Sequence, residues 1–295
     1  MDKRFDSPSR KSFIVVNSIL MVVLAGLCIA PMIHVLAVSL SSSAEADAGF
    51  VKFWPVNFNV QSYSYVLEKR MFWDSIGVTL KRVFIGVPIN LALVVLTAYP
   101  LSKERHKFKM RTLYVWVFFF TMLFSGGLMP SYLLIYYLGL MDTIWALILP
   151  GALPVFNVIL MLNFFRGLPN ELEEAALIDG AGHWSTLFKI YIPCSLPSIA
   201  TITLFSIVGH WNAYFDGYIY SNFPRNYPLQ TYLRSIIIMR DFASMSGEEW
   251  KLLAVISDRT VKAAQIFVGA LPILAVYPFL QRFFIKGIVI GSVKG

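Results

Sequence analysis

The sequence predicts an all-α polytopic membrane protein with six transmembrane helices. Three observations predict it. Of the 295 residues, 57% are hydrophobic and 14% charged, where a soluble domain carries about 25% charged residues. The mean hydropathy is +0.65. The apolar residues fall into six runs, at 14–40, 76–101, 112–135, 143–165, 194–215 and 263–284, near the ~20 residues that a helix needs to cross the hydrocarbon core.

Lys3, Arg4, Arg10 and Lys11 precede the first run, as in the n-region of a signal peptide. The apolar stretch from Ser12 to Ser43 is far longer than an h-region of about 7–15 residues. Leu27 also stands where a lipoprotein signal needs a small residue before Cys28. The first run therefore reads as a retained span after a tail at 1–13. In the second run, Lys81 and Arg82 read as basic side chains snorkelling to the headgroups from an interfacial turn over 74–82. The apolar segment would then start near Val83; the alternative is a buried ion-binding role. Pro31, Pro88, Pro154, Pro197, Pro272 and Pro278 fall inside runs. A bilayer tolerates them where neighbours satisfy the freed carbonyls, either as simple kinks or as bends around a pathway.

Charge sets the orientation. The tail 1–12 has four Lys/Arg and the loop 102–111 has five, whereas 136–142 has none and carries Asp142. The positive-inside rule puts both termini (1–13 and 285–295), the loop 102–111 and the loop 166–193 in the cytoplasm. Segments 41–75 and 216–262 then lie outside. The six basic residues of 216–262 weigh little, because long loops count little in this rule.

Several function classes are disfavoured. The net charge of +8 is spread among loops and forms no basic, aromatic-interleaved domain for nucleic acid. Cys28 and Cys194 lie in or beside apolar runs, against a disulfide framework, and His34, His106, His183 and His210 have no metal-ligand spacing. GAGHWST at 180–186 lacks the lysine and spacing of a phosphate-cradling loop. Acidic residues are too thinly spread for a membrane enzyme, and the spans lack the carboxylates of an ion-coupled secondary carrier, which stands as the rival class.

The loop 166–193 carries the strongest signal. In GLPNELEEAALIDG, Asn170 is a suitable N-cap with Glu173 at the third helical position, the two forming a capping box. Glu171, Glu173 and Glu174 suit the positive end of the helix dipole, and Gly180 is a natural stop. This predicts a short helix over 171–179 outside the membrane. Leu172, Ala175, Ala176 and Asp179 share a face at i, i+3, i+4 and i+7. That shallow face suits close approach of another protein. Trp184, Leu187 and Phe188 add an apolar patch, and Pro193 opens the next span. A plain connecting helix explains the caps equally well.

The fixed spacing is what separates the two readings. Glu174, Ala175, Ala176, Gly180, Ile190, Ile192 and Pro193 resemble the pattern E-A-A-x3-G-x9-I-x-L-P of ABC importer membrane subunits, with isoleucine for leucine at Ile192. The segment 74–103, DSIGVTLKRVF to LTAYPLSK, resembles the opening of the type-I permease core, and the likeness extends over about 74–285. GHWNAYFD at 209–216 is similar to the Gly-x-Trp-Asn motif of maltose-system permeases. QTYLRSIIIMRDF at 230–242 and the overall pattern most resemble the LplC/YtcP-like subgroup, linked to complex or modified oligosaccharides. The resemblance implies a type-I ABC importer transmembrane domain acting by alternating access. It implies a second, different permease subunit, two ATPase subunits that hold ATP and Mg, and an extracellular solute-binding lipoprotein, with no cofactor on this chain. Glu174, Ala175, Ala176, Asp179, Gly180, Ile190, Ile192 and Pro193 would couple to the ATPase. The solute is expected to be a carbohydrate, with a peptide or amino acid as the alternative.

Pathway candidates are polar or aromatic residues at membrane depth: Asn157, Asn163, His210, Trp211, Asn212, Tyr214 and Asp216. Trp211 and Tyr214 read equally as an outer aromatic belt, and asparagines equally as interhelical glue. Tyr218, Tyr220, Tyr227 and Tyr232 in the external segment suit contact with a binding protein's sugar cleft.

Overall fold

The computed structural model describes residues 8–238 and 257–291, which are helical with no strand. Expectations for most of the tail 1–13, for 239–256 with the end of QTYLRSIIIMRDF, and for the last residues of 285–295 lie outside the described residues. The described residues form two compact units, 8–69 with 257–271 and 70–238 with 272–291.

In the first unit, helix α1 (Pro8–Ser39) is apolar on every side and exposed along most of its length. An all-round apolar helix that its own unit leaves uncovered needs lipid or another protein chain around it. Its last turns are different. Ala37 and Val38 pack against Ala46 of α2 (Ser43–Asp47), Val51, and Ala263 of the final helix (Asp258–Gly291). Polar pairs fasten this end. Ser62 of α3 (Gln61–Leu67) donates to Thr260 at 2.9 Å, the Ser257 N–H donates to Ser43 Oγ at 2.8 Å, and Arg259 donates to the Ala46 carbonyl at 2.8 Å.

The second unit is built on α4 (Arg70–Ser102), one 33-residue helix. The interfacial turn expected over 74–82 is absent; helix runs unbroken from Arg70. Next come α5 (Arg111–Leu123) and α6 (Leu128–Tyr137), which meet at 107°. The run 112–135 is therefore not one straight span. Ser125, Gly126 and Gly127 cause the break: Gly127 adopts φ +90°, a conformation that helix cannot continue. The fourth run bends by 48° between α7 (Ile144–Ile148), extended by a 3₁₀ turn Leu149–Gly151, and α8 (Val155–Arg166). Pro150 and Pro154 remove two N–H donors there.

Outside these runs lies α9 (Asn170–Ile178). It is followed by α10 (His183–Thr186), a π-helical turn Leu187–Tyr191, and α11 (Ile192–Cys194). An 81° bend at Ser195 leads into α12 (Leu196–Asn212), so the fifth run turns at Ser195. The segment expected to lie outside continues as α13 (Phe215–Tyr220) and α14 (Leu229–Ile238). The core of this unit is Val94, Ala98 and Tyr99 of α4, Val158, Met161 and Phe165 of α8, Leu187 and Tyr191 of the π turn, and Ile202 of α12.

Among the described residues, two helices, α1 and α4, are by themselves long and apolar enough to cross a membrane, and the three bent pairs bring the number to five if each is one span. The sixth run, 263–284, falls inside the final helix.

Candidate functional site

Two polar sites are built on α4, one in its middle third and one at its C-terminal end. The first centres on Arg82, whose side chain is 5% exposed. It forms a bidentate ion pair with Asp216 of α13, with Nη1 to Oδ1 at 3.1 Å and Nη2 to Oδ2 closer. Arg82 Nε donates to His210 Nδ1 of α12 at 3.2 Å. His210 Nε2 lies 2.7 Å from Asn90 Oδ1, and Asn90 Nδ2 donates to the carbonyls of Gly151 and Ala152 at 3.0 and 2.7 Å. The donors fix the order. Asn90 spends its amide on the carbonyls, so its oxygen accepts from His210 Nε2–H, and Nδ1 accepts from arginine. His210 is thus the neutral Nε2–H tautomer. Asn90 also satisfies two carbonyls in the α7–α8 bend, where the prolines disturb the ladder.

This network corrects the reading of Arg82 as a snorkelling side chain. It faces inward because Asp216 supplies a counter-charge, and a fork-on-fork pair offsets desolvation better than a lone charge does. Beside it lies a cavity of about 250 Å³ lined by Asn157, Ser206, His210 and Asp216 among others. Ser206 Oγ is buried there without a hydrogen-bond partner.

Of the seven pathway candidates, Asn157, His210 and Asp216 meet at this cavity. The other four do not line it. Asn163 is exposed, six residues or about 240° round the helix from Asn157. Trp211 is buried inside the chain, which removes it from an outer belt, and Asn212 is exposed. Tyr214 is half-buried, with Arg234 lying 3.6 Å from its ring centroid. Of the four tyrosines expected to meet a binding protein, Tyr220 and Tyr232 are buried in the fold, and Tyr218 packs edge-on against Tyr227 at 5.8 Å. Tyr220 and Tyr232 are therefore unavailable for a cleft contact.

Gly86 is shaped to this site. A Cβ there would lie 2.5 Å from His210 Nε2 and 2.7 Å from Cε1. Gly86→Ala is expected to push the imidazole off Asn90 and to destabilise the protein by about 1–3 kcal/mol. A lowered thermal midpoint of the detergent-solubilised protein checks this; Gly77→Ala, with open space around it in the same helix, is the control and should leave the midpoint unchanged or raise it slightly.

The second site is the loop 166–193. Helix α9 spans the predicted residues, but the capping box does not form. Pro169 is the N-cap, no side-chain cap bond is made, and Asn170 Nδ2 instead reaches Glu104 Oε1 at 3.4 Å. Glu173 turns inward, because a stronger set of partners waits there. Lys103 Nζ lies 3.0 Å from Glu173 Oε2, Lys107 Nζ lies 3.4 Å from Oε1, and Tyr191 Oη donates to Oε2 at 2.9 Å. Lys103 makes no hydrogen bond of regular geometry. It is held by charge and by two ring faces, with Nζ 3.9 Å from the Tyr99 centroid and 4.1 Å from that of Tyr191. Burial raises the Glu173 carboxyl, but Lys103, Tyr191 and Lys107 outweigh it and leave the pKa below its ordinary value. Burial lowers the Lys103 ammonium, and the Glu173 attraction only partly opposes this.

The helix stop falls as predicted. Gly180 has φ +77°, its N–H donates to Leu177 at 3.1 Å, and the Ala181 N–H donates to Ala176 at 2.9 Å. These two bonds are a Schellman motif, which needs a left-handed residue at Gly180. The predicted shared face is split. Ala176 is buried with Glu173, while Leu172, Glu174, Ala175, Ile178 and Asp179 face outward, Ile178 being 86% exposed. Trp184 and Phe188 are also exposed, their rings stacked at 6.1 Å. Ile190 and Ile192 are half-buried and Pro193 is exposed. A cavity of about 730 Å³ opens between α4 and this loop, lined by Tyr99, Lys103, Glu173, Leu177 and Trp184 among others.

Sequence reasoning did not find Arg82, Asn90, Lys103, Glu173 or Tyr191 in these roles. The available signal was a charged or amide residue within or just beyond an apolar helix, which default expectation marks as paired or functional.

An all-helical chain with broken apolar segments, a buried polar network and an exposed capped helix defines a polytopic membrane subunit. Residues 18–290 match the family described as binding-protein-dependent transport system inner membrane component. The chain belongs to that family and is a transport subunit of the membrane. It is 41% identical to Protein LplC of Bacillus subtilis (strain 168), over 96% of this chain and 95% of that protein. It is 38% identical to the polygalacturonan/rhamnogalacturonan transport system permease protein YtcP of the same organism, over 91% and 93%. Among solved structures it resembles a chain of a bacterial ABC transporter involved in import of the acidic polysaccharide alginate, with TM-score 0.82 and 34% identity over 95% of this chain and 99% of that one.

Proposed function

We propose that this chain forms half of the translocation pathway of an ATP-driven carbohydrate importer, with α9 as its contact to an ATPase subunit. The observation that carries this is the outward face of α9. Glu174, Ala175 and Ile178 stand exposed beside Trp184 and Phe188, on a helix whose inner face is fastened to α4 through Glu173. An apolar, small-residue surface rimmed by carboxylates suits a protein partner. The assembly then has a second, different permease subunit, two ATPase subunits holding ATP and Mg, and an extracellular binding lipoprotein, with both termini and the loop 166–193 in the cytoplasm. The positive charge of 102–111 supports that orientation.

The carbohydrate is an oligosaccharide bearing carboxylates. Support comes from the relatives, one named for polygalacturonan and rhamnogalacturonan and one solved for alginate import. Asn157, Ser206, His210 and Asp216 give this chain's share of a polar path.

The test is uptake into proteoliposomes holding the whole transporter, with oligogalacturonate-loaded binding protein outside and ATP inside. Vanadate-sensitive uptake is expected, and Glu174→Lys is expected to reduce it at least tenfold while depleting the ATPase from the purified complex. Uptake driven by an ion gradient without nucleotide would overturn the reading.

A further inference from the structure

The neighbouring carboxylates Glu173 and Glu174 do not share one task. Successive helical residues point about 100° apart. Glu174 is exposed, whereas Glu173 and Lys103 are each 6% exposed at the side chain. Lys103 directly follows the last residue of α4. Its ammonium is held between the Tyr99 and Tyr191 rings, 3.9 and 4.1 Å away, and the carboxylate at 3.0 Å. The end of α4 is itself pinned. Arg166 donates to the Leu101 carbonyl at 3.2 Å and Arg111 donates to the Lys103 carbonyl at 2.7 Å. The Tyr99, Phe165 and Tyr191 rings meet edge-on beneath it, at 5.0 to 6.5 Å.

In the middle third of the same helix, Arg82 is paired with Asp216 of α13. The 21 residues from 82 to 103 at about 1.5 Å each set the two pairs roughly 31 Å apart along α4. Separating such an ion pair leaves at least one uncompensated buried charge, so each pair holds its helices together when one of them is moved.

We infer that Glu173, through its buried pair with Lys103, is the positioning residue that makes the loop 170–193 and helix α4 one lever reaching from the ATPase contact to the Arg82–Asp216 pair. The inference rests on the reading of α9 as the ATPase contact. It also gives the spacing of the loop a reason. Tyr191 must return, 18 residues after Glu173, to hydrogen-bond its carboxylate and cover Lys103. The π turn Leu187–Tyr191 sets that register.

The test uses the assembled transporter in proteoliposomes, reading three quantities: ATPase recovered in the complex, ATP hydrolysed, and oligogalacturonate moved per ATP. The double variant Lys103→Met, Glu173→Gln removes both charges and keeps both side-chain volumes, so no lone charge stays buried. It is expected to retain the ATPase and hydrolyse ATP within twofold of wild type, while sugar moved per ATP falls at least tenfold. Lys103→Arg, which keeps the charge and the ring contacts, should stay within threefold of wild type in that ratio. A wild-type ratio in the double variant overturns the inference, and so does loss of the ATPase from its complex, which would make Glu173 a docking residue. Should the double variant fail to insert, Tyr191→Phe decides: the ring stays and only the hydroxyl goes. A threefold lower ratio is expected, and an unchanged ratio overturns the inference. Glu174→Lys separates the two readings. If it keeps the ATPase bound, the docking role of α9 fails by itself, whatever the Glu173 variants do.

Discussion

Asp216→Asn is expected to destabilise the protein by about 3–5 kcal/mol, the range for breaking a buried ion pair by removing one partner. The substitution strands Arg82, which is 5% exposed, beside a neutral imidazole. Arg82→Met should cost less, because the Asp216 side chain keeps 24% exposure and reaches water when its partner is gone. The Asp216 Oδ1 also keeps a hydrogen bond from the Gly217 N–H at 2.9 Å. The double variant Arg82→Met, Asp216→Asn should recover much of the loss, since no lone charge remains buried. Thermal unfolding of the solubilised protein followed by size exclusion reads all three. The expected order of midpoints is wild type, double variant, Arg82→Met, Asp216→Asn. An Asp216→Asn midpoint equal to wild type would show that Arg82 is solvated in place and would remove the network from the fold's stabilising interactions.

Gly180→Val is expected to reduce ATP-dependent uptake below a tenth of wild type. The cause is conformational. A Cβ at Gly180 meets nothing within 4 Å, but the residue sits at φ +77°. For a β-branched side chain that conformation costs about 1–3 kcal/mol. The chain relieves it by abandoning the Schellman turn, which frees the Leu177 and Ala176 carbonyls and redirects Ile178 and Asp179 at the outward face. Gly180→Asn is the discriminating control, because asparagine enters the left-handed region more readily than other non-glycine residues. It should keep more than half of the uptake. If Val and Asn behave alike, the backbone conformation of Gly180 is not what the loop needs.

Much of this protein is legible in one dimension. The apolar runs announce a membrane protein because lipid demands about twenty apolar residues per helix regardless of what packs around them. The loop is legible too: α9 lies within a residue of its predicted bounds and stops at Gly180. What misled was local completeness. Asn170 and Glu173 satisfy the rule for a capping box, yet Glu173 finds Lys103 and Tyr191, which are 70 and 18 residues away in the chain. Arg82 satisfies the rule for snorkelling, yet its partner is Asp216, 134 residues on. In both cases a tertiary ion pair outweighs a local preference worth about one kcal/mol. The third run was misread for a different reason. Its hydropathy is continuous across Ser125–Gly127, and hydropathy does not sense a glycine at φ +90°.

By itself, then, the sequence determined the solvent, the helical class, the place of the exposed loop and its stop at Gly180, since each depends on composition or on residues within one helical turn. The tertiary structure alone decided which charges are buried, that Glu173 and Ala176 face inward while Glu174 and Ile178 face outward, and which of the polar candidates meet at one cavity. Those outcomes depend on how α4, α8, α12 and α13 are rotated against one another. A buried charge settles only where its counter-charge arrives, and no window of the chain contains both.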